Sequence, residues 1–224
     1  MKIAAVEAIQ LVGAFNRPEW VVEKAPKLAP YREPSGEFWG AYGLRIDDQV
    51  FELVNKLRTD PWTRQAVAVL WDHFMDNVPD KLDYPCTVAL GFMIRETVSR
   101  TRRLDMHVTM RSNDAWLGLP YDMFQFTQLQ HTVARVLGVS PGTYTHTAWS
   151  LHLYERDLEA SYEVTIPLEA SSHFDPTGLG EPNMTNGYED ATWRARMIAL
   201  EPELISWQLT PSERWYRDVI HKEA

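Results

Sequence analysis

The spacing of hydrophobic and polar positions predicts helices and strands in mixed order along the chain. In 48–58, Val50, Leu53, Val54 and Leu57 have the i, i+3, i+4, i+7 spacing of an amphipathic helix. Two more helices are predicted at 4–15 and from about 120 to 137, where Gly138 is a natural stop. Apolar or alternating runs predict strands at 66–71, 87–94, 104–110 and 143–154.

Two further segments complete this prediction. Residues 16–43 are rich in proline, glycine and aromatic residues and are predicted to be loop. Thr210-Pro211-Ser212-Glu213 has the pattern of a capping box and predicts a last helix. Strands and helices that do not alternate strictly indicate the α+β class. We find no repeat or linker, so 1–224 is predicted to be a single domain, with 155–224 the least patterned part.

Composition narrows the classes of partner. Hydrophobic residues make up 45% of the 224 positions, which is typical of a globular protein, and the formal net charge is -9. This acidity argues against a nucleic-acid partner, because phosphate polymers bind to basic surfaces. No segment is apolar for long enough to span a membrane, and the N-terminal run contains Glu7 and Gln10. A single cysteine, Cys86, forms no internal disulfide, so we expect a cytoplasmic protein.

Cys86 and Arg111 are the first candidates for chemistry. Cys86 precedes an apolar strand and is either a buried core residue or a thiolate nucleophile. A thiolate requires nearby positive charge, which Arg111 supplies if its strand pairs beside Cys86. Arg111 and Ser112 suit a phosphate group, since a guanidinium binds two oxygens at once; the alternative is a surface salt bridge.

Asp114, Asp122, His152 and Tyr154 each allow two interpretations. Asp114 is either a ligand or a cap for a nearby helix, and Asp122 is either a ligand or a partner for a helix dipole. His152 and Tyr154 are two apart on a strand and therefore face the same side, where both can reach a sugar hydroxyl. A half-buried, hydrogen-bonded histidine is the alternative. The remaining histidines lack metal-ligand spacing, so no metal is expected.

Taken together, these residues resemble the thymidylate synthase superfamily over about 7–154. The motifs occur in the family's order: Glu7 with Gly13, Tyr42-Gly43, Asp60-Pro61-Trp62-Thr63-Arg64, Pro85-Cys86, Arg111-Ser112 with Asp114, Leu117-Gly118-Leu119-Pro120, and Leu151-His152-Leu153-Tyr154. The resemblance implies a mixed β-sheet covered by helices, and a homodimer formed sheet to sheet. It also implies a pyrimidine nucleoside monophosphate as substrate and 5,10-methylenetetrahydrofolate as co-substrate.

The resemblance also implies a role for each matched residue. Cys86 corresponds to the nucleophile that adds to carbon 6 of the pyrimidine. Glu7 corresponds to the glutamate that orders water, and Tyr42 to a tyrosine near the proton on carbon 5. The implied substrate ligands are Arg111 and Ser112 for the phosphate, Arg64 for the same phosphate across a dimer interface, Asp114 beside the base, and His152 and Tyr154 for the sugar.

Several positions depart from thymidylate synthases and resemble the deoxycytidylate hydroxymethylases of phages. Asp122 stands where synthases have asparagine, Thr87 follows the nucleophile in place of histidine, and Ala148-Trp149-Ser150 replaces a Gly-Gly-Asp stretch. An asparagine amide complements the edge of uracil. Cytosine reverses this pattern, and a carboxyl group with a shared proton complements it. The residues therefore favour 5-hydroxymethylation of dCMP or CMP, with Cys86, Glu7, Asp122 and Tyr42 as catalytic residues.

Two other readings remain open. One is a folate-dependent methylase of cytidylate or uridylate, which differs only in the last step. The other is a catalytically silent nucleotide-binding homologue. Gln65 favours this third reading because the family often has a second arginine there, and the match begins at Glu7, so we expect no counterpart of the family's N-terminal phosphate-binding segment.

Overall fold

The computed structural model describes residues 2–13 and 17–163 of the chain. Backbone contacts divide the chain into two units, Met1–His152 and Leu153–Ala224. The helix predicted from Thr210 lies outside the described residues, and the single domain stays a prediction. None of the described helices is long and apolar enough to cross a bilayer.

A four-stranded mixed sheet organises the first unit. Its strands are β1 (Ala66–Val69), β2 (Thr87–Glu96), β3 (Arg102–Met110) and β5 (Ser140–Ala148), in the order β1-β2-β3-β5. The first three strands are antiparallel, and β5 is parallel to β3. Two short strands, β4 (Asn113–Asp114) and β6 (Leu151–His152), pair in parallel beyond the ends of β3 and β5. The predicted α+β class is confirmed.

Helices cover one face of this sheet. They are α1 (Lys2–Gly13), α2 (Pro18–Lys24), α3 (Tyr42–Thr59) and α4 (Gly118–Leu137), with a 3-10 helix at Pro26–Tyr31. Helix α4 packs on β3 and β5, α3 packs on β1, and α1 packs on α4 and α3. Because α1 is enclosed by other helices, most of its side chains are buried around its whole circumference.

The core lies between the covered sheet face and α4. Phe92, Leu104, Met106, Phe126 and Leu129 are among its fully buried side chains. Burial alternates along β1, so Ala66 and Ala68 face the helices while Val67 and Val69 are exposed on the other face. One face of the sheet is therefore packed within the chain, and the other is partly open.

Local signals explain where the prediction was wrong. Residues 16–43, predicted to be loop, contain α2 and the 3-10 helix, each with a proline in its first turn. Helix α3 begins at Tyr42 rather than at 48, because Gly43 and Ile46 extend its buried side. The strand predicted over 143–154 divides into β5 and β6, and Leu153 and Tyr154 belong to neither. Gly138 ends α4 with a φ of 69°, as expected for a left-handed C-terminal residue.

The described part of the second unit is short. It consists of a 3-10 helix at Glu155–Asp157 and α5 (Leu158–Glu163). The Asp157 backbone N–H donates to the Tyr154 carbonyl, and the Arg156 guanidinium lies 4.4 Å from the centre of the Tyr154 ring.

Candidate active site

The end of β3 holds Arg111 beside Cys86. Thr87 pairs with Met110, and the Arg111 backbone N–H donates to the Cys86 carbonyl at 2.8 Å. The Arg111 side chain turns the same way, because its Nε donates to the Pro85 carbonyl at 3.1 Å. The pairing that the sequence analysis required for a cation near the thiol is present.

Arg111 is held by backbone carbonyls and an aromatic ring, and Asp83 is the nearby carboxyl group that interacts with its charge. Its guanidinium lies 5.1 Å from the centre of the Trp71 ring, a cation–π contact. Among the described residues, no carboxylate forms an ion pair with it within 4 Å. The described residues therefore do not show Arg111 in a surface salt bridge. Its guanidinium charge acts on the thiol of Cys86.

The Cys86 thiol is nevertheless not ionised by this charge alone. Burial raises its pKa above the ordinary value, Arg111 lowers it, and the carboxylates of Asp122 and Asp83 raise it again. The expected effect of Arg111 exists, but burial outweighs it. Cys86 is therefore a half-buried thiol that requires further activation to become a thiolate.

Asp122 is a carboxyl group on α4 that is almost wholly removed from water. Its exposed fraction is 8%, and Gln125 Nε2 donates to its Oδ1 at 2.9 Å. Burial raises the pKa of Asp122 to about 7, although hydrogen bonds from Gln125 and Asn113 act in the opposite direction. Near neutral pH this group therefore exists both as a carboxylic acid and as a carboxylate, so it can both donate and accept hydrogen bonds.

Glu7 approaches the same region from α1. Burial, together with the smaller effects of the Asp122 and Asp83 charges, raises its pKa to about 8. Glu7 is consequently protonated over most of the neutral range. A carboxyl group in this state can give or take a proton during a reaction.

Tyr42 is the first residue of α3 and stacks on Phe126 of α4, with 5.8 Å between the ring centres. Burial holds its pKa well above 10, and Asp122, Cys86 and Glu7 contribute in the same direction. Thr87 faces the tyrosine hydroxyl and acts in the opposite direction, but the geometry is not that of a normal hydrogen bond. The four predicted catalytic residues, Cys86, Glu7, Asp122 and Tyr42, therefore form one cluster.

The segment after β3 carries the predicted substrate ligands Ser112 and Asp114, and the second of these pairs with the predicted ligand His152. Ser112 follows Arg111 and is half-buried. Asp114 pairs with His152 between β4 and β6, and the Ala115 N–H donates to the His152 carbonyl at 2.7 Å. The Asp114 carboxylate accepts from the Trp116 N–H at 2.9 Å, so it closes a turn rather than capping α4, which begins at Gly118.

Arg64 and Tyr154 are the two remaining predicted ligands. Arg64 is exposed just before β1, and its predicted role belongs to a partner subunit. Tyr154 belongs to the second unit. Their substrate roles stay predictions, as do those of the other site residues.

Two features of the cluster escaped the sequence analysis. Asp83 lies three residues before Cys86, and burial raises its pKa to about 6. Gly40 accommodates Asp83, because a Cβ on Gly40 would lie 2.2 Å from Asp83 Oδ2.

The second feature is a chain of hydrogen bonds through Asn113, His146 and Tyr144. The spacing of Tyr144 and His146, two apart on a strand, was the available signal. Within 2–13 and 17–163, no group of acidic, histidine and cysteine residues is arranged to hold a metal ion.

The fold is that of thymidylate synthase. A thermostable thymidylate synthase A from Bacillus subtilis superposes with a TM-score of 0.62 and 22% identity, over 72% of this chain and 60% of that one. The family model described as thymidylate synthase matches residues 18–172. The chain therefore belongs to the thymidylate synthase family.

Relatives with two different names resemble this chain. A deoxyuridylate hydroxymethyltransferase of Pseudomonas phage M6 is 27% identical over 217 residues, which cover 91% of this chain and 61% of that protein. One of Bacillus phage SP01 is 37% identical over 115 residues, or 50% of this chain and 29% of that protein. A thymidylate synthase of Bacillus licheniformis is 28% identical over 193 residues, covering 84% of this chain and 64% of the relative. The chain thus spans less than two thirds of the length of each.

Proposed function

We propose that this protein transfers a one-carbon unit from methylenetetrahydrofolate to carbon 5 of a cytidine monophosphate and releases the 5-hydroxymethyl product. The observation that carries the proposal is Asp122, a buried carboxyl group in the same cluster as Cys86, Glu7 and Tyr42. Burying a carboxyl group costs folding free energy. We infer that this cost is offset by a role of Asp122 in chemistry or recognition.

The chemistry of Asp122 supports a cytosine base. Cytosine presents an amino donor at position 4 and an acceptor at nitrogen 3. A protonated carboxyl group accepts from the first with one oxygen and donates to the second with the other. Because the pKa of Asp122 is raised to about 7, a substantial fraction of the molecules carries this proton at neutral pH. If the proton is held on the oxygen that faces nitrogen 3, uracil would leave a buried polar group without a partner, at a cost of roughly 1–3 kcal/mol.

The remaining cluster supports the reaction steps. Cys86 Sγ bonds to carbon 6, which makes carbon 5 nucleophilic, and carbon 5 then bonds to the methylene carbon of the folate. The carbon-5 proton leaves on the side of Tyr42, and tetrahydrofolate departs. Water, oriented by Glu7, adds its hydroxyl to the exocyclic methylene, and Cys86 is released from carbon 6. No oxidation or reduction occurs in this sequence.

Binding is proposed to follow the predicted ligands. Arg111 and Ser112 take the phosphate, joined by Arg64 of a second subunit, while His152 and Tyr154 contact the sugar and Asp114 lies beside the base. Arg111 has the geometry for this role, since its charge faces the region of Cys86 and is not paired with a carboxylate in the described residues. The functional unit is a homodimer in this proposal.

A second candidate has a specific observation in its favour. Two of the relatives are named deoxyuridylate hydroxymethyltransferases, and another is named a thymidylate synthase. A protonated Asp122 also complements uracil if its proton lies on the opposite oxygen. Deoxyuridylate is therefore the alternative substrate. With it, the product is either hydroxymethylated or, in a methylating enzyme, methylated.

Product mass decides among these candidates. The protein is incubated with methylenetetrahydrofolate and dCMP, CMP or dUMP, and the nucleotides are analysed by mass spectrometry. We expect a 5-hydroxymethylcytosine nucleotide that disappears in Cys86→Ala. A methylated product or preference for dUMP would establish the second candidate. Absence of product and of tritium release from carbon 5 would identify a silent homologue.

Asp122→Asn gives the sharper test of base selection. An amide complements uracil with its nitrogen towards position 4 and cytosine only when it is turned over, whereas a protonated carboxyl group can carry its proton on either oxygen. We therefore expect the ratio of kcat/KM for dCMP to that for dUMP to fall by about tenfold to a hundredfold. Asp48→Asn makes the same chemical change on the exposed side of α3 and is expected to leave the ratio unchanged. An unchanged ratio in Asp122→Asn would remove the main support for a cytidylate substrate.

A further inference from the structure

We propose that a buried ion pair between Arg45 and Asp76 positions Arg111, and that it does so through the indole ring of Trp71. Arg45 and Asp76 are then positioning residues, since both act through Trp71. That Arg111 receives a phosphate group rests on the proposed function, whereas the placement of Trp71 against Arg111 does not.

Arg45 lies in the first turn of α3, and its guanidinium makes five hydrogen bonds. Nε and Nη2 donate to the Trp39 carbonyl at 3.3 and 2.9 Å, and Nη1 donates to the Leu70 carbonyl at 2.8 Å. Nη1 and Nη2 also donate to Asp76 Oδ2 and Oδ1, at 2.6 and 2.9 Å. All the N–H groups of the guanidinium therefore have acceptors, and they join the segment before α3 to the end of β1 and the loop after it.

Asp76 is satisfied to the same degree. Besides the two bonds from Arg45, its carboxylate accepts from Trp39 Nε1 at 3.0 Å and from the Asp72 backbone N–H at 2.8 Å. Its side chain has no exposed surface, and that of Arg45 is 13% exposed. Removing two charges from water costs free energy, which good geometry and complete hydrogen bonding offset. The main effect of such a pair is therefore to fix one arrangement of the chain around it.

The ion pair fixes the backbone on both sides of Trp71. The Leu70 carbonyl, which precedes Trp71, accepts from Arg45, and the Asp72 N–H, which follows it, donates to Asp76. The Trp71 N–H itself donates to a carbonyl of β2 at 3.3 Å. Arg45 and Asp76 therefore set the direction in which the Trp71 side chain leaves the backbone.

The Trp71 ring sets the orientation of Arg111. The guanidinium carbon lies 5.1 Å from the ring centre, and the cation is attracted to the ring face. On the other side, Nε donates to the Pro85 carbonyl at 3.1 Å and Nη2 approaches the Tyr84 carbonyl at 3.5 Å. Within the part of the chain that the structure describes, Nη1 has no acceptor. The ring and the carbonyls hold the guanidinium in place while N–H groups stay available for two phosphate oxygens.

Arg45→Lys weakens this arrangement and keeps the charge. A lysine ammonium is a point charge and does not form the two parallel bonds that the guanidinium makes with Asp76. Trp71 is then less firmly held, and so is Arg111. We expect the affinity for dCMP to fall by about threefold to tenfold. Because a phosphate contact serves ground state and transition state alike, KM should rise while kcat changes much less.

A double-mutant cycle separates this role from a merely structural one. The affinity for dCMP without folate is measured by calorimetry in the unaltered chain, Arg45→Lys, Arg111→Lys and the double variant. A lysine at position 111 has no plane to be oriented, so adding Arg45→Lys to Arg111→Lys should cause no further loss. Arg58→Lys is the same change on the same helix, at a side chain that donates to the Val136 carbonyl, and it should bind as the unaltered chain does. Equal losses from Arg45→Lys in both backgrounds would overturn the proposal.

A second measurement needs no ligand. The full chain is labelled with 5-fluorotryptophan, and the Trp71 signal is assigned in the 19F NMR spectrum by its loss in Trp71→Phe. This signal should shift in Arg45→Lys and stay in place in Arg58→Lys. An unchanged signal in folded Arg45→Lys overturns the proposal. If that variant does not fold, Trp39→Phe removes one bond to Asp76 and should shift the signal; no shift there also overturns it.

The two measurements distinguish failure of this proposal from failure of the proposed function. A shifted Trp71 signal in a protein that binds none of dCMP, CMP and dUMP would contradict the proposed function and support the placement of Trp71 by the ion pair. Nucleotide binding that Arg45→Lys leaves unchanged, together with an unshifted signal, would support the function and reject the positioning role.

Discussion

Asp122, Glu7 and Asp83 are three carboxyl groups with raised pKa values in one cluster. Burial is the largest cause for each, and the charge of a neighbouring acid adds to it at Glu7. Each group therefore holds a proton in the folded chain at a pH where the unfolded chain has released it. The folded site therefore binds more protons than the unfolded chain, and this makes the free energy of unfolding depend on pH.

Stability should fall as the pH rises through the neutral range. For Asp122 the folded pKa is about 7 and the ordinary value is 3.8, so its contribution is complete below about pH 4 and is lost progressively up to about pH 7. Each such group changes the free energy of unfolding by up to about 1.4 kcal/mol per pH unit within its window.

Thermal unfolding between pH 5 and 8 measures this effect. Asp122→Asn removes one titrating group and should unfold with a weaker pH dependence than the unaltered chain. Asp48→Asn, which is exposed, should follow the unaltered chain. Equal slopes for all three proteins would contradict the assignment of a raised pKa to Asp122.

The sequence identifies residues of this site when they lie within motifs. Cys86, Arg111 and Asp122 stand in recognisable surroundings, and the structure brings Cys86 and Arg111 together through the end of β3. Asp83 and His146 are not identified in this way. Their significance comes from burial and from contacts with residues far along the chain, and neither property is visible in local spacing.

At the scale of elements, α4 carries much of the site. It begins at Gly118, where Asn113 and Asp122 converge, and it ends at Gly138, whose φ is 69°. Between these ends it presents Asp122 and Gln125 to the site and Phe126 and Leu129 to the core. Gly118 leaves space for the Asn113 side chain, and Gly138 adopts the positive φ that ends the helix. We therefore expect their substitutions to have different effects.

Gly118→Ala should impair recognition, and Gly138→Ala should impair stability. A Cβ at Gly118 forces Asn113 to move, so we expect the affinity for the nucleotide to fall about five- to tenfold through loss of its hydrogen bonds. At Gly138 nothing lies within 4 Å of the new atom, but the positive φ costs about 1 kcal/mol of folding free energy.

Calorimetric binding and chemical denaturation of both variants separate the two effects. Gly138→Ala is the matched control for binding, since its substitution is at the opposite end of the same helix. If both variants bound nucleotide equally, the approach of Asn113 to Gly118 would have no part in recognition.

Long periodic elements were predictable because burial repeats along them. Helix α4 and strands β2 and β3 have apolar residues at regular intervals, and each was predicted within a few residues of its observed ends. The helix α2 was missed because Trp20 and the prolines around it also suit a loop. Tertiary packing of Val21 in the apolar cluster with Val6 and Phe38 stabilises it.

At the scale of the whole molecule, the predicted homodimer would account for both the open face of the sheet and the exposed Arg64. The resemblance predicts that two chains pair through their sheets and that each gives Arg64 to the phosphate site of the other. Val67 and Val69 on β1 are exposed apolar residues on that face, as this arrangement requires.

Mixing two inactive variants tests the shared site. Arg64→Ala and Cys86→Ala should each have little activity alone. In a mixed dimer one site receives an intact Cys86 from one chain and an intact Arg64 from the other, so equal amounts that exchange freely should recover roughly a quarter of full activity. Activity that stays at the level of the separate variants would show that Arg64 acts within its own chain or outside the site.

The parallel pairing of β3 with β5 also governs how the molecule can fold. Parallel neighbours cannot be joined by a tight turn, and here α4 makes the connection from one strand to the next. Contacts between Asn113 and His146 therefore form only after the intervening helix has docked, which is a non-local step that slows folding. A nascent or partly folded chain lacks the buried carboxyl environment, so the proposed recognition of a base depends on this late step.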